Sequence, residues 1–467
     1  MGSVSVIEQH PYYTILPVGQ EVIFVVSNND AVANEIKVKF CAEVHINTTT
    51  PNLSGTASLV GTFKTTPNDA GVGIFDFRNI LENYVSADNL AYFSDLASSS
   101  YKGVSTTASR RQPIHLIDKW SGNFNTQRHL GIRFFVEYEN ANGQVVEDED
   151  SSVDSADYII FNGYLKYSDN ISLIGKNFGY SLSAFALMDS SKEFLTNAPT
   201  TQYANSGDYG TVAFLRSAPA STNLAYVKFK YYNASGIISN EDVMNSNVSS
   251  GSGFSTITNS DSAYIFLGCF PGNLENWSST YTSAVSSGLT YYTITAYSST
   301  DVAISQTYRI NISCPDLRNY EPIRLAWLNQ WGAWDYYTFT KKSTKTLTTK
   351  GTTYTQLEGT WNEQQYRLNS YRGGKKTFRV NATEKIKINT DFLTESYNVM
   401  FEELTNSPEI YILEGYKEDP PSSMLNQYVT PVRLISKNFT TKTIANDRLI
   451  QYSFEIEKTK TLRTQSV

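Results

Sequence analysis

Between Ile36 and Ile46 apolar and polar side chains alternate without a break, and no other stretch restricts the fold so tightly. Ile36, Val38, Phe40, Ala42, Val44 and Ile46 make one series, and Lys37, Lys39, Cys41, Glu43 and His45 the other. A repeat of two is the repeat of a β-strand, so the first series faces a core and the second faces water. One buried and one wet face is the pattern of an antiparallel sheet packed on another sheet. The alternation returns in His129–Tyr138, with Leu130, Ile132, Phe134, Val136 and Tyr138 inward, and in Tyr226–Tyr232. Composition points the same way: 32 Tyr, 24 Phe and only 18% charged residues suit pleated surfaces. A mean hydropathy of -0.33 marks a folded, soluble chain rather than a disordered one.

The expected fold is therefore all-β: three consecutive antiparallel β-sandwich-like units with one or two short helices. A chain of 467 residues has room for about three domains. The boundaries fall at 1–167, 168–315 and 316–467. In the first, Glu21–Val26, Ala57–Thr65, Gly73–Phe77 and Asp157–Tyr167 join the two alternating strands, Asp76–Val85 holds a short helix, and Ser86–Arg111 is a long polar loop. In the second, Ser181–Leu187 is a strand like Tyr226–Tyr232, Tyr264–Phe270 is apolar, Pro271–Leu274 turns the chain, and Ile238–Ser260 is a low-complexity loop. Tyr291–Tyr297 and Ala303–Ser313 pair as a hairpin. In the third, Tyr354–Leu357, Gln365–Asn369 and Lys376–Ile388 are strands. The clearest helix is 394–405, with Leu393, Tyr397, Met400, Phe401 and Leu404 on one face and Pro408 stopping its extension.

Catalytic patterns are missing. There is no GxSxG elbow, HExxH, Walker loop or Rossmann glycine run. The four histidines are scattered; His115 stands three residues from Asp118, with no nucleophile nearby. Cys41, Cys269 and Cys314 are odd in number and far apart, which argues against disulfides and zinc and for a reducing cytoplasm. In the acidic run Glu147–Asp157, Asp148, Asp150, Ser152 and Asp154 mimic a calcium loop, but Val153 and Ile159 break the pattern, leaving a solvated loop. No cofactor and no metal is expected, and the chain reads as a non-enzyme. The net charge of -7 disfavours nucleic acid. The basic groups Lys341, Lys342, Lys345, Lys350 and Arg372, Lys375, Lys376, Arg379 read as solvated hairpin ends. Neither a signal peptide nor a run long enough to span a bilayer is present.

Pro322–Thr346 is the densest aromatic stretch. Ile323, Leu325 and Trp327 alternate with polar and small neighbours, Asn329–Trp334 turns around Gly332, and Tyr337 and Phe339 alternate again. That is a hairpin. Each tryptophan buries about 150–250 Å², roughly 4–6 kcal/mol gross. Trp327, Trp331, Trp334, Tyr336 and Tyr337 are thus the candidate site residues, as core or protein interface, or alternatively as a platform for glycans.

The run LAWLNQWGAWDYYTF within this hairpin resembles one that recurs in structural proteins of tailed, especially marine, bacteriophages. Gly61–Val85 (GTFKTTPNDAGVGIFDFRNILENYV), Glu193–Pro199 (EFLTNAP) and Thr390–Leu413 (TDFLTESYNVMFEELTNSPEIYIL) resemble the same family, in the same order. The resemblance spans most of the chain and points to no active site. It implies a virion structural protein of the tail or its distal end, made in the host bacterial cytoplasm. Its partners would be copies of itself in a symmetric oligomer and other virion proteins. A receptor- or glycan-binding tail fibre, touching the host surface, is the alternative.

Overall fold

The structure is a computed structural model. It describes residues 4–90, 113–117, 119–122, 125–165, 171–215, 224–244, 264–313, 320–361, 364–368, 370–413, 429–436, 438–443, 450–460 and 462–463, without the side chains of 172, 244, 462 and 463. Strands take up 49% of the described residues and helices 11%, which makes the fold all-β. The strands form several mostly antiparallel sheets, with parallel pairing of Tyr158–Phe161 to Ile15–Pro17 and of Thr201–Ala204 to Tyr308–Ile312. The chain divides into two compact units: Met1–Ser313 with Leu328–Asp335, and Cys314–Trp327 with Tyr336–Glu418 and Asn426–Val467.

In the first unit a sandwich forms because two sheets each have one apolar face. A three-stranded sheet runs Val6–Gln9, Ile23–Ser27, Val72–Asp76. A six-stranded sheet contains Ile15–Pro17, Tyr158–Phe161, Gln127–Glu139, Ile36–Asn47 and Leu59–Thr65 in that order, with Val145–Asp154 paired to Gln127–Glu139. Phe24 lies 5.6 Å from both Phe134 and Tyr158, and Phe75 lies 5.7 Å from Phe134. Full burial of each such ring contributes about 1.5–3 kcal/mol. Gly73 is required here, since a Cβ would stand 2.7 Å from the Phe40 ring. A five-stranded sheet follows in the order Thr201–Ala204, Tyr308–Ile312, Tyr291–Ser298, Leu224–Asn233, Gly236–Met244. Trp120–Gly122 pairs with Tyr264–Gly268, which also pairs with Thr211–Leu215.

The second unit is one eight-stranded sheet. Its order is Trp334–Phe339, Ile323–Leu328, Ile410–Leu413, Val429–Leu434, Ser453–Lys458, Gly374–Asn389, Thr344–Gln356, with Leu462–Arg463 beside Gly374–Asn389. A helix, Asn398–Asn406, lies against it through Phe401, whose ring is within 5.1–6.3 Å of Trp327, Tyr337, Phe339, Tyr452 and Phe454.

Several segments differ from the sequence reading. Pro271–Leu274 is no simple turn: it starts a helix, Pro271–Trp277, with Pro at its first position, and Ser279–Ser286 follows as another. The acidic run is a strand, Val145–Asp154; at a sheet edge its charges reach solvent or partners such as Arg133 and Lys64. Ser181–Leu187 is a turn in which the Phe185 and Ala186 amides both donate to Leu182 O, so Leu182 and Phe185 bury at helical spacing. Gly236–Met244, expected in a loop, is a strand; 245–263 and 91–112 lie outside the described residues. Tyr354–Leu357 is the end of the longer strand Thr344–Gln356, and 365–368 form no strand.

The strand Ile36–Asn47 is also less simply two-sided than its alternation. Cys41 and His45 belong to the supposedly wet series but are 0% and 1% exposed. Beside Cys41, whose register partner is Lys64, Lys39 and Lys64 both donate to Glu137, and Lys64 also donates to Glu147 at 2.9 Å. Ile36 is exposed because the register slips between Ile36 and Lys39, where Lys37 has φ +52°, and one extra residue reverses the face.

Candidate functional site

The aromatic hairpin folds as expected, with strands Ile323–Leu328 and Trp334–Phe339 and a tight loop between them. The loop is organised by Asn329. Its side-chain oxygen accepts from the Trp331 and Ala333 amides at 3.1 and 3.0 Å, and its side-chain nitrogen donates to Leu195 O at 3.0 Å. Gly332 sits at φ +72°, and a Cβ there would stand 2.1 Å from Asn162 O. Trp331 packs 4.7 Å from Phe185; Trp334 donates from Nε1 to Asp88 O at 3.0 Å and meets the His115 ring edge-on at 4.8 Å. Asp335 accepts from the Thr196 hydroxyl. Within the first unit, then, the tip of this hairpin is tied to EFLTNAP.

Trp327, Trp331, Trp334 and Tyr336 are all buried, with Trp331 only 1% exposed. Tyr337 is half-buried; its hydroxyl accepts from the Asp391 amide at 3.3 Å, and burial raises its pKa above the usual phenol value. In the second unit Trp327 pairs in register with Ile410 and Arg324 donates to the Thr338 hydroxyl at 2.8 Å beneath the Tyr336 ring. Enclosed rings of this kind offer no open face to a sugar in the single chain. The motifs Pro322–Thr346 and Thr390–Leu413 meet here as packing.

Titratable groups are likewise used for structure. His10 contacts Pro11 O at 2.9 Å and the Tyr158 hydroxyl at 3.2 Å; His45 contacts Ser58 Oγ at 3.2 Å, and burial lowers its pKa. Burial pushes the Cys41 thiol up to about 12, where it is no nucleophile. Asp118, the proposed neighbour of His115, lies outside the described residues. Among the described residues no three His, Cys, Asp or Glu side chains gather as a metal set.

The feature without a structural use is a long β-ribbon. Thr344–Gln356 pairs with Gly374–Asn389 from Thr344↔Lys387 to Gln356↔Gly374. On its far side Gly374–Asn389 is supported, among the described residues, at Asn381–Ala382 and Lys385–Asn389, and beyond them the described ribbon is two-stranded. Nothing among the described residues pairs with the outer edge of Thr344–Gln356. All residues from Thr344 to Thr353 are exposed. A bare two-stranded ribbon of this length gains little from its own packing.

Its tip is apolar. Trp361 is 70% and Leu368 75% exposed, beside exposed Leu357, Tyr366 and Tyr371. They are displayed by a built turn. Thr360 Oγ1 donates to Gln365 O at 3.0 Å and accepts from the Arg367 amide at 2.8 Å, while Gly359 and Gly373 take φ +74° and +94°. The ribbon is also basic. Of 38 lysines and arginines 11 fall in 341–389, and of 45 acids only three, so this segment carries +8 and the remaining residues -15. Lys350, Lys375, Lys376, Arg379 and Lys387 form no ion pair among the described residues.

No protein-family model matches the chain, and no curated protein does. Solved structures give faint likenesses. Native alpha-2-macroglobulin of E. coli matches at 10% identity over 83% of this chain and 22% of that chain, with a TM-score of 0.19. The trypsin-activated protein from Escherichia coli matches at 9% over 84% and 26%, TM-score 0.19. Salmonella alpha-2-macroglobulin reacted with methylamine matches at 8% over 97% and 23%, TM-score 0.19. The chain spans about a quarter of the length of those structures, and a likeness at this level carries no argument.

The sequence reading located the basic groups but not the ribbon that unites them. The signal was there: 344–356 alternates threonine with lysine, tyrosine and leucine, and neither series is consistently apolar. A β-forming run without an apolar face is a strand that does not lie on a core.

Proposed function

We propose that this chain is a non-enzymatic structural component of a tailed-phage virion, a tail or distal-tail and baseplate protein. It assembles with copies of itself and with other virion proteins through sheet faces, edges and loops. The observation that carries this reading is the ribbon, with its open edge strand and apolar tip. An open edge strand pairs with other chains, and soluble monomers avoid displaying one. The resemblance to phage structural proteins supports the same reading, as do motif residues spent on packing. Mass spectrometry of purified particles from a phage encoding this chain tests it. The polypeptide is expected at a stoichiometry that fits tail symmetry, and particles complete without it would overturn the reading.

A second reading, a receptor- or glycan-binding fibre, is favoured by one observation: Trp361, Tyr366 and Tyr371 are exposed together at the tip. Stacking on exposed aromatic rings suits sugars. Binding of host-surface polysaccharide by the intact chain, lost on Trp361→Ala, would establish it.

A further inference from the structure

Among the described residues, two strands that lie at a sheet edge, Thr344–Gln356 and Val145–Asp154, carry opposite charge. Thr344–Gln356 lies in the +8 segment. Val145–Asp154 reads VVEDEDSSVD, and among the described residues its outer edge is engaged at Ser151, whose carbonyl accepts from the Ser5 amide at 2.8 Å. Glu147 is bound to Lys64 and Asp154 to Arg133, but Asp148, Glu149 and Asp150 form no ion pair among the described residues.

We propose that the basic ribbon is an assembly arm that docks on the acidic edge strand Val145–Asp154 of a second copy of this chain. This goes beyond the virion reading by naming surface and partner, and it does not depend on that reading, since a self-associating chain satisfies it outside any particle.

Three observations carry it. The first is charge. Outside 341–389 the chain bears -15, so copies repel unless the +8 segment of one meets the acidic surface of the next. The second is extent. The stretch Val145–Asp150 and the two-stranded stretch Gly351–Gln356 are both about 20 Å long at ~3.3 Å per residue. Two such edges can extend one sheet across copies by main-chain hydrogen bonds. The third is the apolar complement. Val145 and Ile36 are exposed on either side of Glu139 in neighbouring strands, as a landing for the Trp361 and Leu368 tip. The acids are also crowded: burial and then the charge of Glu149 raise the pKa of Glu43, a repulsion that cations from a partner relieve. A nucleic acid or an anionic membrane would meet the same arm, but would also meet the acidic remainder, whereas the chain carries its own complement. The contact joins unlike surfaces, so repetition yields rings or filaments.

Light scattering and sedimentation velocity of the full chain test this. Wild type should self-associate at low salt and dissociate in about 0.5 M salt, where charges beyond a few Å are screened. Lys350→Glu with Lys375→Glu, and separately Glu149→Lys with Asp150→Lys, should each weaken association about tenfold or more. All four residues are exposed, so both variants should fold, as circular dichroism would verify. Mixing the two variants should restore association, because each then carries the complement of the other. A monomeric wild type, variants that associate as wild type does, or a mixture that stays monomeric would each overturn the proposal. So would arm-dependent binding of a short DNA duplex or of anionic phospholipid vesicles without self-association. Particle composition reads the virion reading separately.

Discussion

Trp331 and Trp361 show how the same side chain takes opposite roles. Trp331 is enclosed between Phe185 and the loop that Asn329 holds, whereas Trp361 is largely exposed, with the Tyr366 ring 5.4 Å away. Trp331→Ala should therefore cost about 3–5 kcal/mol in denaturant unfolding, the usual loss for a buried indole. Trp361→Ser should stay within about 0.5 kcal/mol of wild type, as surface changes do. Glu137 gives a pH signature. Hydrogen bonds from Lys64, opposed by burial, and then from Lys39 hold its carboxyl below the usual 4.5. As pH falls, the unfolded chain takes up this proton first, so the stability present above about pH 4.5 is lost through the folded value. Glu137→Gln should lower stability at pH 7 by ~1.5–3 kcal/mol and flatten that acid limb. Thermal melts from pH 7 to 3 check both. The Cys41 and Cys269 thiols are buried, so in a Cys314→Ser background neither should react with a disulfide reagent until the chain is unfolded.

At the scale of elements, strands bounded by turns were legible wherever one face was apolar. Ile36–Asn47, Gln127–Glu139, Leu224–Asn233 and the tryptophan hairpin are all strands where the alternation places them, even where both faces are covered. The helix Asn398–Asn406 was legible through Met400, Phe401 and Leu404, preceded by a short turn at Glu395–Tyr397. Helices Pro271–Trp277 and Ser279–Ser286 were not, because serine, threonine and glycine dilute a face carried by Leu274, Tyr281 and Ala284. Tertiary packing secures them: Trp277 and Tyr281 lie 6.4 and 5.9 Å from Phe229 and Tyr231. Asn273 binds the first of them by donating to His115 O and Ile117 O and accepting from the Gly210 amide. Asn273→Ala should thus destabilise by ~1–3 kcal/mol, since those buried partners lose their bonds. The bulge at Lys37 was invisible because nothing in the alternation marks where a register slips. The candidate site was half legible: charge marked the basic groups but not the ribbon that joins them, and the enclosure of Trp327, Trp331 and Trp334 depends on partners far away in sequence.

For the whole molecule, the division at Ser313 is not a clean one in sequence. Ile323–Trp327 and Tyr336–Phe339 belong to the second compact unit, yet Leu328–Asp335 between them belongs to the first. A gene cut anywhere between codons 314 and 327 would therefore separate the first unit from residues it needs, Asn329, Trp331 and Asp335 among them. The N-terminal fragment 1–313 should be expressed as an aggregating, partly unfolded product, and a synthetic peptide covering 326–337 should raise its melting temperature. A tidy two-piece dissection of this chain would have to carry that short loop along as a graft.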